Sequence, residues 1–287
     1  MRYQGVVDRP AVAGPGDHLC WVYEDTPSFA AVARQFLADG LARGERLLFV
    51  GDSAGIDALR QPDTTLPGID GLVARGVLEL VAVEGAYRTG QFDADRQLTL
   101  YDVVTRRAVD DGYTGLRVVA DVTPLAADAG RQADLVRWEH LADDFFASGR
   151  GMSAMCAYRR AGVDPAVLTA AAAVHPQVHA PDAVPPFRIW FDDGGLAVAG
   201  TVDAFDADHV LRVLLASHVA GPVVRLDLSR VDFVDAAGCR ALARWAQALQ
   251  HRSARLELVG TSRLFRRTWQ VLGFDRITDA RLEPAGS

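Results

Sequence analysis

Leu226-Asp227-Leu228-Ser229-Arg230-Val231-Asp232-Phe233-Val234-Asp235-Ala236-Ala237-Gly238 reads as a buried strand, a short loop and the start of a helix. The run Val223–Leu228 is read as the covered strand. Asp235 then offers a short acceptor side chain to the free N–H groups of a helix predicted over Ala236–Gln250. Working outward, strands are expected at Phe187–Phe191, Leu196–Val198 and Arg255–Val259, and further helices at Ala207–Ala216 and Ser262–Leu272. Together they make a mixed α/β unit of about 100 residues, a common domain size.

Upstream, the segment Ala171 to Pro186 (AAAVHPQVHAPDAVPP) holds four prolines and no strong period, so it reads as a boundary. The expected organisation is a first domain at 1–172, a linker at 173–186 and a second domain at 187–287. Before the linker, strand candidates at His18–Tyr23, Leu47–Gly51, Leu78–Val83, Leu116–Asp121 and Ser153–Tyr158 alternate with helical patterns at Ser28–Ala42, Arg96–Asp110 and Ala133–Ala147. Phe29, Val32, Phe36, Leu37 and Leu41 recur at helical spacing, and Gly44 punctuates the end of that helix. Nearly continuous apolar strands alternating with helices predict a parallel sheet covered on both faces.

Composition narrows the function classes. The chain has 287 residues, 49% of them hydrophobic and 23% charged, the pattern of a globular protein. It contains no lysine, so lysine-based covalent chemistry is excluded. Residues 1–180 carry 17 Arg against 24 acidic residues, and 181–287 carry 13 against 13. Neither half has the basic excess of a phosphate-backbone binder, so direct nucleic-acid binding is not expected. No apolar run is long enough to span a bilayer and no leader pattern opens the chain, which predicts a cytoplasmic protein. Cys20, Cys156 and Cys239 form no CxxC pair and no disulfide framework.

The quoted stretch resembles the signature of STAS domains, the anti-sigma-factor-antagonist type, in which a strand ending Asp-Leu-Ser leads to Asp-Ser-Ser-Gly at a helix start. Ala199-Gly200-Thr201-Val202-Asp203 is similar to that family's Gly-Glu-Leu-Asp turn, and Val271-Leu272-Gly273-Phe274 to its closing helix. The resemblance implies a partner-binding surface around Asp203, Ser229, Asp235, Ala236, Ala237 and Gly238. In phosphorylatable members a serine of this turn gains a phosphate that disrupts docking onto an anti-sigma kinase. Here Ala236 and Ala237 stand at both serine positions, so that control is absent while Asp235 remains as a cap.

The first half resembles the MEDS domain, a sensory module named for methanogens and methylotrophs. The resemblance is carried by Gly16-Asp17-His18-Leu19-Cys20-Trp21-Val22-Tyr23, the run Phe36 to Val50 with its Gly44-Glu45-Arg46, Asp93 after Gly90-Gln91-Phe92, Trp138-Glu139, Cys156-Ala157-Tyr158 and His175-Pro176. The arrangement also looks like a RecA/KaiC-type ATPase core. A phosphate loop, however, needs glycines, a Lys and a Ser/Thr. The corresponding Tyr23-Glu24-Asp25-Thr26-Pro27-Ser28 has no Gly, no Lys and two acids, which excludes ATP hydrolysis by that route.

Ligand-contacting candidates are His18, Cys20, Tyr23, Asp121, Glu139 and Cys156. His18 and Cys20 lie two apart on a strand and face one side; with Cys156 and His175 they could converge as a soft metal site or a thiol sensor, or simply pack. No metal and no cofactor is assigned, and the ligand class left open is a small molecule. The expected function is a non-catalytic regulator. A small molecule or redox cue acts on the first domain, and the second binds an anti-sigma factor or serine-kinase-like switch protein. The alternatives are a degenerate nucleotide-binding enzyme and a ligand-free scaffold or homodimer.

Overall fold

The computed structural model describes residues 2–10, 14, 16–86, 93–192 and 194–284. Gly90-Gln91-Phe92 of the first-domain pattern lies outside them. Two compact units divide between Val184 and Pro185.

The first unit is built on β1 (Gly5–Val6), β2 (His18–Tyr23), β3 (Arg46–Gly51), β4 (Leu78–Ala82), β5 (Leu116–Asp121), β6 (Met152–Arg159) and β7 (Gln177–His179). They form a sheet in the order β1-β7-β2-β6-β5-β3-β4, and every recorded pairing in it is parallel. Side chains alternate across the strands and separate two cores. Leu19, Trp21, Met155 and Ala157 pack on the face covered by helices Thr26–Ala42, Ser53–Arg60 and Ile69–Ala74. Cys20, Val22, Ala154, Cys156 and Tyr158 pack on the opposite face, under helices Ala94–Asp110, Gln132–Ala147 and Pro165–Ala172. The α/β reading with both faces covered therefore holds.

The boundary segment differs from its expected role as a linker. Residues 173–178 are buried, and Gln177–His179 enters the sheet between β1 and β2. Its prolines flank this short strand without interrupting it. Pro176 lacks an N–H, but the step costs no ladder bond because the chain pairs from Gln177 onward. Only the last few residues before Pro185 connect the two units.

The second unit contains β8 (Phe187–Asp192), β9 (Gly195–Val202), β10 (Val223–Val234), β11 (Arg255–Thr261) and β12 (Arg281–Pro284), ordered β12-β11-β10-β9-β8. β8 and β9 form an antiparallel hairpin and the remaining pairs are parallel. Helices Ala207–Ala216, Ala236–Gln250 and Arg263–Val271 accompany it. β10 runs six residues past its expected end, with register shifts at Asp227/Arg230 and Val231/Phe233 where it bends toward the helix start.

Candidate functional site

On β2, the alternation that points His18 and Cys20 one way points Tyr23 the other. The sequence candidates consequently fall into two places. Tyr23 and Asp121 are the last residues of β2 and β5, at the carboxyl edge of the sheet. The Tyr23 hydroxyl donates to Asp121 Oδ2 at 2.7 Å. The Thr123 backbone N–H and hydroxyl donate to Asp121 Oδ1 at 3.0 and 2.5 Å, and Thr123 Oγ1 accepts from the Arg159 N–H at 2.8 Å. Burial raises the Asp121 carboxyl, with its hydrogen bonds opposing the rise. These bonds tie the strand end to the following helical turn and use the polar atoms that a ligand would need.

The adjacent helix start shows why a phosphate would not sit there. Asp25 caps helix Thr26–Ala42 by accepting from the Ser28 N–H at 2.9 Å, so a carboxylate holds the position that anions favour.

The other place lies deep between β2, β6 and helix Gln132–Ala147. His18 stands at the start of β2, Cys156 and Tyr158 on β6, Glu139 on the helix and His175 in the turn after Pro165–Ala172. His18, Glu139 and His175 are fully buried, and Cys156 is 2% exposed. His18 Nε2 lies 3.3 Å from Glu139 Oε2 and 3.5 Å from Cys156 Sγ; the thiol donates to Glu139 Oε2 at 3.2 Å. Tyr158 donates to the other oxygen of Glu139 at 2.6 Å. His18 Nδ1 faces Asp143 Oδ1 at 3.3 Å, and Arg2 pairs with the same oxygen at 2.7 Å. The His175 ring sits 3.9 Å from that of His18, with its Nε2 3.5 Å from Glu139 Oε2.

Burial opposes the charge on His18, but Asp143 and Glu139 outweigh it and hold its pKa above the ordinary imidazole value. Burial also opposes the charges of the two acids. His18 and its neighbours nonetheless keep Glu139 below its usual value, and Arg2 and His18 keep Asp143 well below the carboxylate range. Burial pushes His175 down to about 4, so it is neutral. Burial and the Glu139 charge raise the Cys156 thiol and the Tyr158 phenol well above their ordinary values. Cys20 pairs in register with Cys156, and its thiol is raised for the same reasons. A reactive sensor cysteine is an exposed thiolate; both of these are buried thiols. His18, Glu139, Cys156 and His175 each place one ligand-type atom within 4.8 Å of the others. His175 appears in the sequence pattern only as His-Pro and Tyr158 only as the end of Cys156-Ala157-Tyr158, while Asp143 and Arg2 carry no local motif.

In the second unit the expected surface is assembled from two turns. Asp235 Oδ1 accepts from the Gly238 N–H at 2.8 Å and Oδ2 from the Ala204 N–H at 3.0 Å. Asp203 caps its own turn by accepting from the Phe205 N–H at 2.9 Å. Ala236 is exposed and Ala237 half-buried. Phe205, held beside them, is 94% exposed. Ser229 sits apart from this turn, its N–H donating to Asp227 Oδ1 at 2.8 Å, in a groove shared with Phe233, Gly260, Leu264 and Phe265. Phe205 in a short loop, Phe233 near the end of β10 and Leu264 on helix Arg263–Val271 escaped the sequence reading because an exposed apolar residue has the same residue type as a core one.

A family model described as MEDS, the MEthanogen/methylotroph, DcmR Sensory domain, matches residues 17–176, and one described as Mlab, STAS domain matches 187–282. No curated protein matches the chain.

Proposed function

Because the chain belongs to the MEDS family and carries a STAS-type domain behind it, we propose that it is a non-catalytic signalling regulator whose second unit docks an anti-sigma factor or a related switch protein. One observation carries the reading. The Asp235 turn keeps its cap and its tie to the Ala204 turn, while exposed Ala236 stands where a phosphorylatable hydroxyl is expected and Phe205 projects into solvent beside it. A fully exposed aromatic ring costs hydration free energy and favours burial by a partner. With no hydroxyl at 236 or 237, the surface stays competent for docking, and control falls to the first unit, which answers a small molecule or another cue. The carboxylate cap at Asp25 and the internally bonded carboxyl edge argue against a nucleotide enzyme.

The test is capture of anti-sigma kinases by the full chain, followed by titration calorimetry. Phe205→Asp should weaken a captured partner by about 30-fold or more, the loss of an interface anchor worth about 2 kcal/mol. A panel of such kinases that binds neither wild type nor the chain supplied with cell metabolites would sink the reading.

A further inference from the structure

We propose that His18, Glu139, Cys156 and His175 form a closed, four-ligand site for a zinc-class divalent ion in the core of the first unit. This goes beyond the regulatory reading and replaces the expectation that the chain takes no metal.

The first argument is geometric. Zinc bonds of about 2.0–2.3 Å to N, O and S imply tetrahedral edges of roughly 3.3–3.7 Å. The His18–Glu139, His18–Cys156, Cys156–Glu139 and His175–Glu139 separations run from 3.2 to 3.5 Å. All four ligand atoms lie within 4.8 Å of one another.

The second argument is proton counting. His175 Nδ1 lies 2.7 Å from the Ala171 carbonyl, which can only accept, so the ring proton is there and Nε2 carries a lone pair. That Nε2 is buried with no hydrogen-bond partner among the described residues, and it points at the Glu139 oxygen. Two acceptors facing each other out of contact with water are unfavourable. A cation between them turns the contact into two bonds.

The third argument is the outer layer. Metal-bound histidines usually donate their second N–H to a carboxylate or carbonyl. His18 faces Asp143, itself anchored by Arg2, and His175 faces Ala171. Tyr158 orients Glu139 through the oxygen not facing the other ligands. Three of the four ligands are thus aimed by an outer partner, each partner on a different element.

Two imidazoles, a thiol and a carboxylate suit zinc or its first-row neighbours and not magnesium or calcium, which take oxygen. On binding, the proton that Cys156 Sγ donates to Glu139 leaves to solvent, as does the Nε2 proton of His18 when the ring is charged, and the thiolate and the freed ring nitrogen take the ion. Four protein ligands leave no open position, so the ion is a clamp between sheet, helix and turn and not a catalyst.

The full chain, purified without metal and titrated with Co(II), should develop a thiolate-to-cobalt charge-transfer band and tetrahedral-intensity visible bands at one equivalent. Zinc should displace the cobalt and raise the melting temperature by roughly 5–10 °C at a hundredfold excess over Kd. Cys156→Ser should lose the charge-transfer band. Tyr158→Phe, which leaves all four ligands in place, should bind about 10–100-fold more weakly. No thiolate–cobalt band in the wild type, or a band that survives Cys156→Ser, overturns the proposal, as does zinc without effect on melting. If Cys156→Ser does not fold, the wild-type and Tyr158→Phe titrations still decide. Partner capture by a wild-type chain that binds neither cobalt nor zinc overturns the site alone and leaves the docking surface standing.

Discussion

Gly238 illustrates how a signature residue acts at the scale of one atom. A Cβ there would fall 2.5 Å from the Val202 carbonyl oxygen and 2.8 Å from Val234 Cγ1. The missing side chain is what lets helix Ala236–Gln250 start directly against β9 and β10, which in turn brings Asp235 within reach of Ala204. The neighbour that must yield is backbone, so the contact cannot relax by a side-chain rotation. Gly238→Ala should destabilise the second unit by about 1–3 kcal/mol, read as a lower urea midpoint at an unchanged m-value. A midpoint equal to wild type would show that the helix start can shift freely.

At the scale of elements, the Gly44-Glu45-Arg46 turn locks helix Thr26–Ala42 to the sheet. The Arg117 side chain of β5 is buried beneath that helix, its Nε 2.5 Å from Glu45 Oε2 and its guanidinium 4.6 Å from the centre of the Phe36 ring. A Cβ on Gly40 would meet Arg117 Cδ at 2.5 Å, so a glycine in the last turn of the helix makes room for the arginine. Arg46 carries the same turn outward to Asp111 at 3.2 Å. Removing one charge of a buried pair strands the other, so Glu45→Gln should cost about 3–5 kcal/mol, measurable by chemical denaturation. Arg46→Gln, at a partly exposed pair, should cost under about 1 kcal/mol. Equal effects for the two variants would contradict the assigned burial.

For the whole molecule, the placement of β7 decides where the first unit ends. A chain stopped at residue 172 loses both His175 and the strand between β1 and β2, whereas one stopped at residue 184 keeps the complete sheet. Residues 2–184 should therefore unfold cooperatively by circular dichroism, and residues 2–172 should be largely unfolded or aggregated. Cooperative folding of the shorter piece would return 173–184 to the status of a linker. Among the described residues, no helix is long and apolar enough to cross a membrane.

Periodicity in the sequence is local, and the elements it determines are the long ones. β2, β5 and helices Ala207–Ala216 and Ala236–Gln250 lie where their patterns put them, because burial repeats every second or every third to fourth residue along them. Short pieces such as β7 and β12 have too few residues to carry a period, and proline beside β7 reads as a break. The signature turn was legible for the same local reason: Asp235, Ala236, Ala237 and Gly238 act on backbone within a few residues. The buried cluster was legible only in its members. His18, Glu139, Cys156 and His175 are far apart in the chain, and nothing in a one-dimensional spacing says that β2 pairs with β6 or that residue 139 faces them. The separation of Tyr23 from His18 follows from strand alternation alone, but that convergence and the stranded nitrogen of His175 were decided by strand order and side-chain direction, which only the folded chain fixes.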